Sequence, residues 1–238
     1  MEDVYRVAVV TGGTRGIGES IARRLAADGF SVVVSGQSKR SVSDALERFA
    51  KDGLSIAGRV ADAAREPDQT ALVRFAAEEK GRLDVLVNNA GIGEFGPIEE
   101  LPADRFRAVL ETNLFGPFYA MRAAAPLMRK TGGGFIVNIA SLASVNAFAG
   151  GAAYNASKFG LLGLSDAAML DLRHSGIRVA TVLPGSVATE FGGPTGGRES
   201  SWMLSPDDVA EAVADLVRFP DRAIPSRIDL RPSKPPKK

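Results

Sequence analysis

The chain of 238 residues is 45% hydrophobic and 24% charged, with a formal net charge of +1. This is ordinary globular composition, with no basic surplus to hold nucleic acid. It has no cysteine and one histidine, His174, which excludes disulfides, thiolate chemistry and cysteine-ligated or histidine-rich metal sites.

No Pro/Gly/Ser linker separates two cores, no apolar run approaches a bilayer span, and no charged leader with a cleavage site opens the chain. The expectation is therefore one soluble, cytoplasmic domain over residues 1–238, without a membrane or nucleic-acid partner. From about Arg6 to Ala140, short β-branched runs alternate with longer amphipathic segments, the pattern of a parallel sheet with helices on both faces. Strands are predicted at Val7 to Val10, Ser31 to Ser35, Ser55 to Val60, Val85 to Asn88 and Phe135 to Ile139, then at Val179 to Leu183 and Arg227 to Leu230. Their continuous apolar character suits strands buried on both faces. About seven such strands with right-handed crossovers make a single α/β domain, a Rossmann-type doubly wound sheet with its ligand crevice at the strands' carboxyl ends.

The first strand runs into Thr11-Gly12-Gly13-Thr14-Arg15-Gly16-Ile17-Gly18, and a helix is predicted from about Glu19 to Ala27. Glycines here let the backbone turn sharply and approach a ligand, while free amides at the helix start attract a pyrophosphate. The spacing is Gly-x-x-x-Gly-x-Gly rather than the commoner Gly-x-Gly-x-x-Gly, but the strand-to-helix context is the one a dinucleotide loop demands. The second strand ends in Ser35-Gly36-Gln37-Ser38-Lys39-Arg40, without an acidic residue to bind a ribose 2′-hydroxyl. Gly36, Gln37 and Ser38 offer room and hydrogen bonds, and Arg15, Lys39 and Arg40 add positive charge, so NADP(H) is favoured over NAD(H). The competing reading leaves Lys39 and Arg40 merely solvated at a helix start. Asp62, after the third strand, can accept a hydrogen bond from an adenine amino group or cap the following helix.

The fourth strand leads into Asn88-Asn89-Ala90-Gly91. Small residues there let a ring system lie against the backbone and the amides can tie strand ends together; a simple turn is the alternative. A helix from about Ala103 to Arg129 is broken by Gly116-Pro117, which removes the helical partner of the Asn113 carbonyl and creates a kink that could hold a water. The fifth strand ends at Ala140-Ser141, and the Gly- and Ala-rich loop Ser144 to Ala153 can fold back to bring Ser141 to Tyr154. Tyr154 and Lys158 stand at i and i+4, on one helix face. A fixed cation favours the phenolate, so such a tyrosine can exchange a proton with an alcohol or ketone. Alone, the spacing equally describes a surface pair, and Ser141 a strand-end turn residue.

Taken together, the Thr11 to Gly18 loop, Asn88-Asn89-Ala90-Gly91, Asn113, Ser141, Tyr154 with Lys158, and Pro184-Gly185-Ser186-Val187-Ala188-Thr189 resemble the short-chain dehydrogenase/reductase family over nearly the whole chain. The resemblance implies that Tyr154 is the general acid/base, that Lys158 lowers its pKa and holds the nicotinamide ribose, and that Ser141 hydrogen-bonds the substrate oxygen. It implies a proton-relay water at Asn113, a cofactor flanked by Asn89, Ala90 and Gly91, and a carboxamide held by Val187 and Thr189. A basic residue at Arg15 is typical of NADP(H)-dependent members. Gly12, Thr14, Gly16, Ile17 and Gly18 would hold the phosphates, Gln37 and Ser38 the 2′-phosphate, and Asp62 the adenine. No metal is required.

The helix after Tyr154 carries Leu161, Leu164, Ala168 and Leu172 on one stripe and Phe159, Leu162 and Met169 on another. One stripe can cover the sheet while the other wants a partner; with the family's habit of pairing this helix and the kinked one, the expectation is a homotetramer, with a dimer second. The resemblance makes about 190–204 a flexible substrate lid, with Trp202 facing substrate or anchoring the lid. Residues 233–238 read as a disordered basic tail, and His174 as a solvated helix-end residue. The carboxyl end lacks the Thr-Gly then Gly-Gly pattern common in acyl-carrier-protein reductases, and looks more like relatives that oxidise 3-hydroxy acids and similar small alcohols. The expected activity is an NADP(H)-dependent oxidoreductase acting on a carbonyl or secondary alcohol, such as a 3-hydroxy acid or small ketone; a 3-oxoacyl-thioester reductase and a non-catalytic cofactor-sensing protein are the alternatives.

Overall fold

The computed structural model describes residues 6–191 and 201–236. Residues 192–200, the middle of the expected lid, and Lys237 and Lys238 of the expected tail lie outside them. Seven strands form one parallel sheet in the order β3-β2-β1-β4-β5-β6-β7. They are β1 Val7–Val10, β2 Ser31–Gly36, β3 Ile56–Val60, β4 Val85–Asn88, β5 Gly134–Ile139, β6 Ile177–Pro184 and β7 Arg227–Leu230. The helices are α1 Gly16–Ala27, α2 Lys39–Lys51, α3 Glu66–Lys80, α4 Ala103–Leu110, α5 Gly116–Lys130, α6 Ala152–Leu172 and α7 Pro206–Arg218.

Alternate strand residues point to opposite faces, and this divides the core in two. Ala8, Val10, Val32, Val34, Val85, Val87 and Val137 pack with residues of α1, α2 and α7. Val7, Val9, Leu86, Ile136 and Val179 pack with α3, α5 and α6. Burial on both faces holds for β1, β2, β4, β5 and β6, but not at the sheet edges. In β3 the residues Ala57, Arg59 and Val60 are exposed, and in β7 Arg227 and Asp229 are, because an edge strand has a neighbour on one side only.

Three other expectations are corrected. Helix α1 begins at Gly16, not near Glu19, because the glycines that form the loop also form the first helical turn. The long helix is broken not by a simple proline kink but by a π-helical turn, Glu111–Phe115, ahead of Pro117 in the first turn of α5. On α6, Leu162 and Met169 pack inward beside the first stripe, leaving Phe159 exposed together with Leu170. Helix α7 opens on Ser205-Pro206-Asp207-Asp208, a cap, proline and acids that form a local start signal, with Ser205 and Asp208 in a reciprocal capping box and Pro206 in the first turn.

A buried polar chain ties the sheet to α6. The Asn88 side-chain amide donates to Asn138 Oδ1 at 2.8 Å, Asn138 Nδ2 donates to Ser165 Oγ at 2.8 Å, and Ser165 donates to the Leu161 carbonyl at 2.6 Å. All three side chains are buried, so removing one leaves its partners without water to replace it. Asn138→Ala is expected to lower unfolding free energy by about 1–3 kcal/mol, read from the urea midpoint.

Candidate active site

The site gathers at the carboxyl ends of β1, β4, β5 and β6, beside the point where strand order reverses between β1 and β4. The loop after β1 is built by positive backbone angles: Gly12 has φ +62°, where an added Cβ would lie 2.9 Å from Ala90 Cα, and Gly16 has φ +54°. Helix α1 has no side-chain cap, with Arg15 at its N-cap position, so its first amides are left for a ligand. Thr14 is buried and Gly18 packs against Asn89, while Ile17 turns inward onto the core. The loop is fastened from outside by a residue that sequence reasoning missed. Arg48 of α2 donates to the Thr14 carbonyl at 2.7 Å and grips both carboxylate oxygens of Glu19 at 3.1 and 2.7 Å. Burial works against Glu19 ionisation, but hydrogen bonds from Arg48 and Arg23 outweigh it and hold its pKa below the ordinary value. Arg48 lies 34 residues from Thr14, and only the packing of α2 beside α1 brings them together.

At the end of β2, Gln37, Ser38, Lys39 and Arg40 are all exposed. The Ser38 hydroxyl caps α2, accepting the Ser41 amide at 3.1 Å, and Arg40 faces Asp44 at 3.7 Å. Arg15 is largely solvated, 3.6 Å from Glu190. Asp62 does not cap α3, whose N-cap is Arg65; it accepts the Ala64 amide at 3.0 Å in a local turn. The asparagines after β4 do tie strand ends. Asn89 donates to the Thr11 and Gly12 carbonyls at 3.0 and 3.1 Å, and Thr11 Oγ1 accepts the Asn89 and Ala90 amides.

Asn113, wholly buried in the π turn, has its side chain fully engaged. Its Oδ1 accepts the Ile92 amide at 2.9 Å, and its Nδ2 donates to the Ile92 carbonyl at 2.9 Å and to Ser157 Oγ at 3.1 Å. Gly91 beside it is held close, since a Cβ there would sit 3.3 Å from Asn113 Oδ1. The π turn thus binds the loop after β4 to the second turn of α6.

Ser141, Tyr154 and Lys158 do come together. The Ser141 hydroxyl accepts the Ala143 amide at 3.1 Å and lies close enough to the phenol to favour its ionisation. Lys158 is buried, its Nζ donating to the Ile139 carbonyl at 2.9 Å and lying 5.7 Å from the centre of the Tyr154 ring. Burial pushes Lys158 down to about 8. Burial also pushes the Tyr154 phenol up, and Ser141 only partly opposes it. In the chain alone, burial is the larger influence on the phenol, and its pKa stands above the ordinary value. Asn155, another residue the sequence did not single out, donates to the Ala143 carbonyl at 2.8 Å and the Asn146 carbonyl at 3.4 Å, and accepts the Phe148 amide at 3.4 Å. It moulds the Ser141-bearing loop around the helix that carries Tyr154.

After β6, Val187 pairs with Leu204 and the Ala188 amide donates to the Leu204 carbonyl at 2.8 Å, closing the base of the segment expected to be a lid. Thr189 stands beside Gly16, its Cγ2 3.4 Å from where a Cβ would be. Trp202 is half-buried, and His174 is exposed in a short turn after α6. Among the described residues no group of three or more His, Cys, Asp or Glu side chains could hold a metal, and no helix is long and apolar enough to cross a membrane. Uncapped helix amides, the positive-φ Gly12 packed on Ala90 and the positive-φ Gly16 facing Thr189 form a cradle that fits a dinucleotide.

Comparison with known proteins agrees with this geometry. The family model described as short chain dehydrogenase matches residues 6–199. An uncharacterized oxidoreductase of Bacillus subtilis is 40% identical over 186 residues, 78% of this chain and 72% of that protein. A cyclohexanol dehydrogenase of an Acinetobacter species is 38% identical over 226 residues, 89% of this chain and 87% of that protein. Among solved structures, a metagenomic short-chain oxidoreductase in complex with NADP superposes with a TM-score of 0.84 at 35% identity, covering 98% of this chain and 99% of that one.

The Lys158 environment has a measurable consequence. Between its folded value of about 8 and its ordinary 10.5, the native chain binds fewer protons at this lysine than the unfolded chain does. Stability therefore rises with pH across that window, until ionisation of tyrosine in the unfolded chain near pH 10 opposes it. The urea midpoint is expected to climb from about pH 8 to about pH 10 in the wild type, and Lys158→Met to remove that climb.

Proposed function

We propose, from the premise that this chain belongs to the short-chain dehydrogenase family, that it interconverts a ketone and a secondary alcohol using NADP(H) in preference to NAD(H). The observation that carries the reading is the convergence of Ser141, Tyr154 and a buried Lys158 next to the glycine-built cradle. The relative named cyclohexanol dehydrogenase supports an alcohol substrate, and the NADP-complexed neighbour supports the cofactor. The end of β2, without an acidic residue and with Gln37, Ser38, Lys39 and Arg40 exposed, and the exposed Arg15 favour a 2′-phosphate.

Gly12, Thr14, Gly16, Ile17 and Gly18 would hold the pyrophosphate, Arg15, Gln37 and the backbone at Ser38 the 2′-phosphate, and Asp62 the adenine. Asn89, Ala90 and Gly91 would flank the ring system, with Val187 and Thr189 at the carboxamide and Lys158 at the ribose. Bound there, NADPH would supply the hydride for the carbonyl carbon. Tyr154 gives its phenolic proton to the carbonyl oxygen, which Ser141 holds by a hydrogen bond; in oxidation both transfers reverse. Because the Asn113 side chain is occupied by Ile92 and Ser157, any relay water falls to its backbone carbonyl. A 3-hydroxy acid fits less well than a neutral substrate: residues 92–99 carry only acidic charges and residues 142–152 carry none.

The chain is proposed to act as a homotetramer, with a dimer second, and in the cytoplasm. Phe115 and Phe118 by the π turn and Phe159 and Leu170 on α6 are 41–52% exposed, a set of large apolar side chains that a second copy would cover. Sedimentation at micromolar concentration is expected to show a multimer that Phe118→Glu with Phe159→Glu dissociates; a monomeric wild type would contradict it.

Two assays test the activity. Tyr154→Phe is expected to lower kcat by about 10²–10⁴-fold with NADPH binding retained, and full activity in that variant would refute the assignment. Fluorescence titration is expected to give tighter NADPH than NADH binding, with Arg15→Ala bringing NADPH toward the NADH value.

A further inference from the structure

Four aromatic rings stand in a row at this site. Phe148, Phe95, Tyr154 and Phe191 follow one another with ring centres 6.0, 5.6 and 5.7 Å apart. The phenylalanines come from three separate segments, following β4, β5 and β6. The first two segments are tied by a hydrogen bond from the Gly96 amide to the Gly150 carbonyl at 2.9 Å, and Asn155 holds the Phe148 amide. Gly93 allows two of the rings to close in, since a Cβ there would lie 2.7 Å from Phe95 Cε2 and 3.1 Å from Phe191 Cε1.

Despite these contacts Phe95, Phe148 and Phe191 remain 46%, 46% and 40% exposed. Contiguous apolar surface that runs up to a reacting hydroxyl is surface a ligand covers. Whatever covers it must also offer an oxygen to Tyr154 and Ser141, which ties the occupant to the substrate. Packing against ring edges and faces rewards a molecule that presents a whole flank at once. A closed ring does so without losing the rotor freedom that an open chain must give up.

We infer that the substrate is a ring-bearing ketone or the corresponding secondary alcohol, its ring laid against Phe95, Phe148 and Phe191 while its oxygen meets Tyr154 and Ser141. This assignment rests on the oxidoreductase reading above and narrows it to a substrate class. The chemistry is unchanged: the carbonyl carbon gains the hydride of NADPH and the oxygen gains the proton of Tyr154.

The test is reduction of three ketones by NADPH: cyclohexanone, methyl butyl ketone as the open chain of equal carbon count, and acetoacetate as a small acid. The wild type is expected to show kcat/KM for cyclohexanone about tenfold above that for methyl butyl ketone. Phe95→Ala, Phe148→Ala and Phe191→Ala should shrink that ratio, mainly by raising the ketone KM and with little change in the NADPH KM. Phe95→Tyr, which keeps a ring, should restore it. Equal rates on ring and open chain, preference for acetoacetate, or a ratio the alanine variants leave intact overturns the assignment while sparing the oxidoreductase reading. Alanine variants that slow every ketone alike also overturn it, since the rings would then serve only to hold the loops. Reduction of no ketone by either NADPH or NADH overturns the oxidoreductase reading, and the substrate class with it.

Discussion

The buried ammonium of Lys158 is the constraint to which the rest of the site answers. A lone buried cation is costly, and the protein offers it the Ile139 carbonyl at 2.9 Å rather than a carboxylate. It can sit there only if the end of β5 and the second turn of α6 are held in register. The asparagines do this: Asn113 spans from the loop after β4 to Ser157, Asn138 joins Asn88 to Ser165, and Asn155 clamps the Ala143 loop. Neutral amides can satisfy buried donors and acceptors at once without adding charge, so the field at Tyr154 is left to Lys158 and whatever binds beside it.

That arrangement explains why the Tyr154–Lys158 pair is not tuned by its own spacing. Desolvation acts on both groups in the direction that removes charge, lifting the phenol and lowering the ammonium to about 8. At neutral pH this leaves the phenol protonated and Lys158 still largely an ammonium, since a group that titrates at about 8 keeps its proton below that pH. Proton exchange then depends on the bound cofactor and substrate completing the surroundings of the pair.

Much of the frame was readable in the sequence because its signals are local. The β-branched runs mark all seven strands within one or two residues, and the glycine loop, the capping box at Ser205 and the Tyr154 to Lys158 spacing each lie within one turn or one junction. What escaped depends on pairings across the fold. Arg48 touches Thr14 only because α1 and α2 lie side by side on the sheet, and Phe95 and Phe191 meet Tyr154, with Phe148 behind Phe95, only once three loops converge. The π turn at Asn113 was seen as a proline break, since a wider helical turn has no local signature beyond the residue that ends it. The exposure of β3 and β7 likewise follows from their place at the edges, which an apolar run does not reveal.

The central claim is that burial holds the Tyr154 phenol above its ordinary pKa in the protein alone. Ultraviolet difference titration of the wild type against Tyr154→Phe isolates that one phenol. The account predicts that its phenolate absorbance appears only above pH 10. A phenolate already present near neutral pH without cofactor would contradict it, and would mean that the Lys158 ammonium outweighs burial at this phenol.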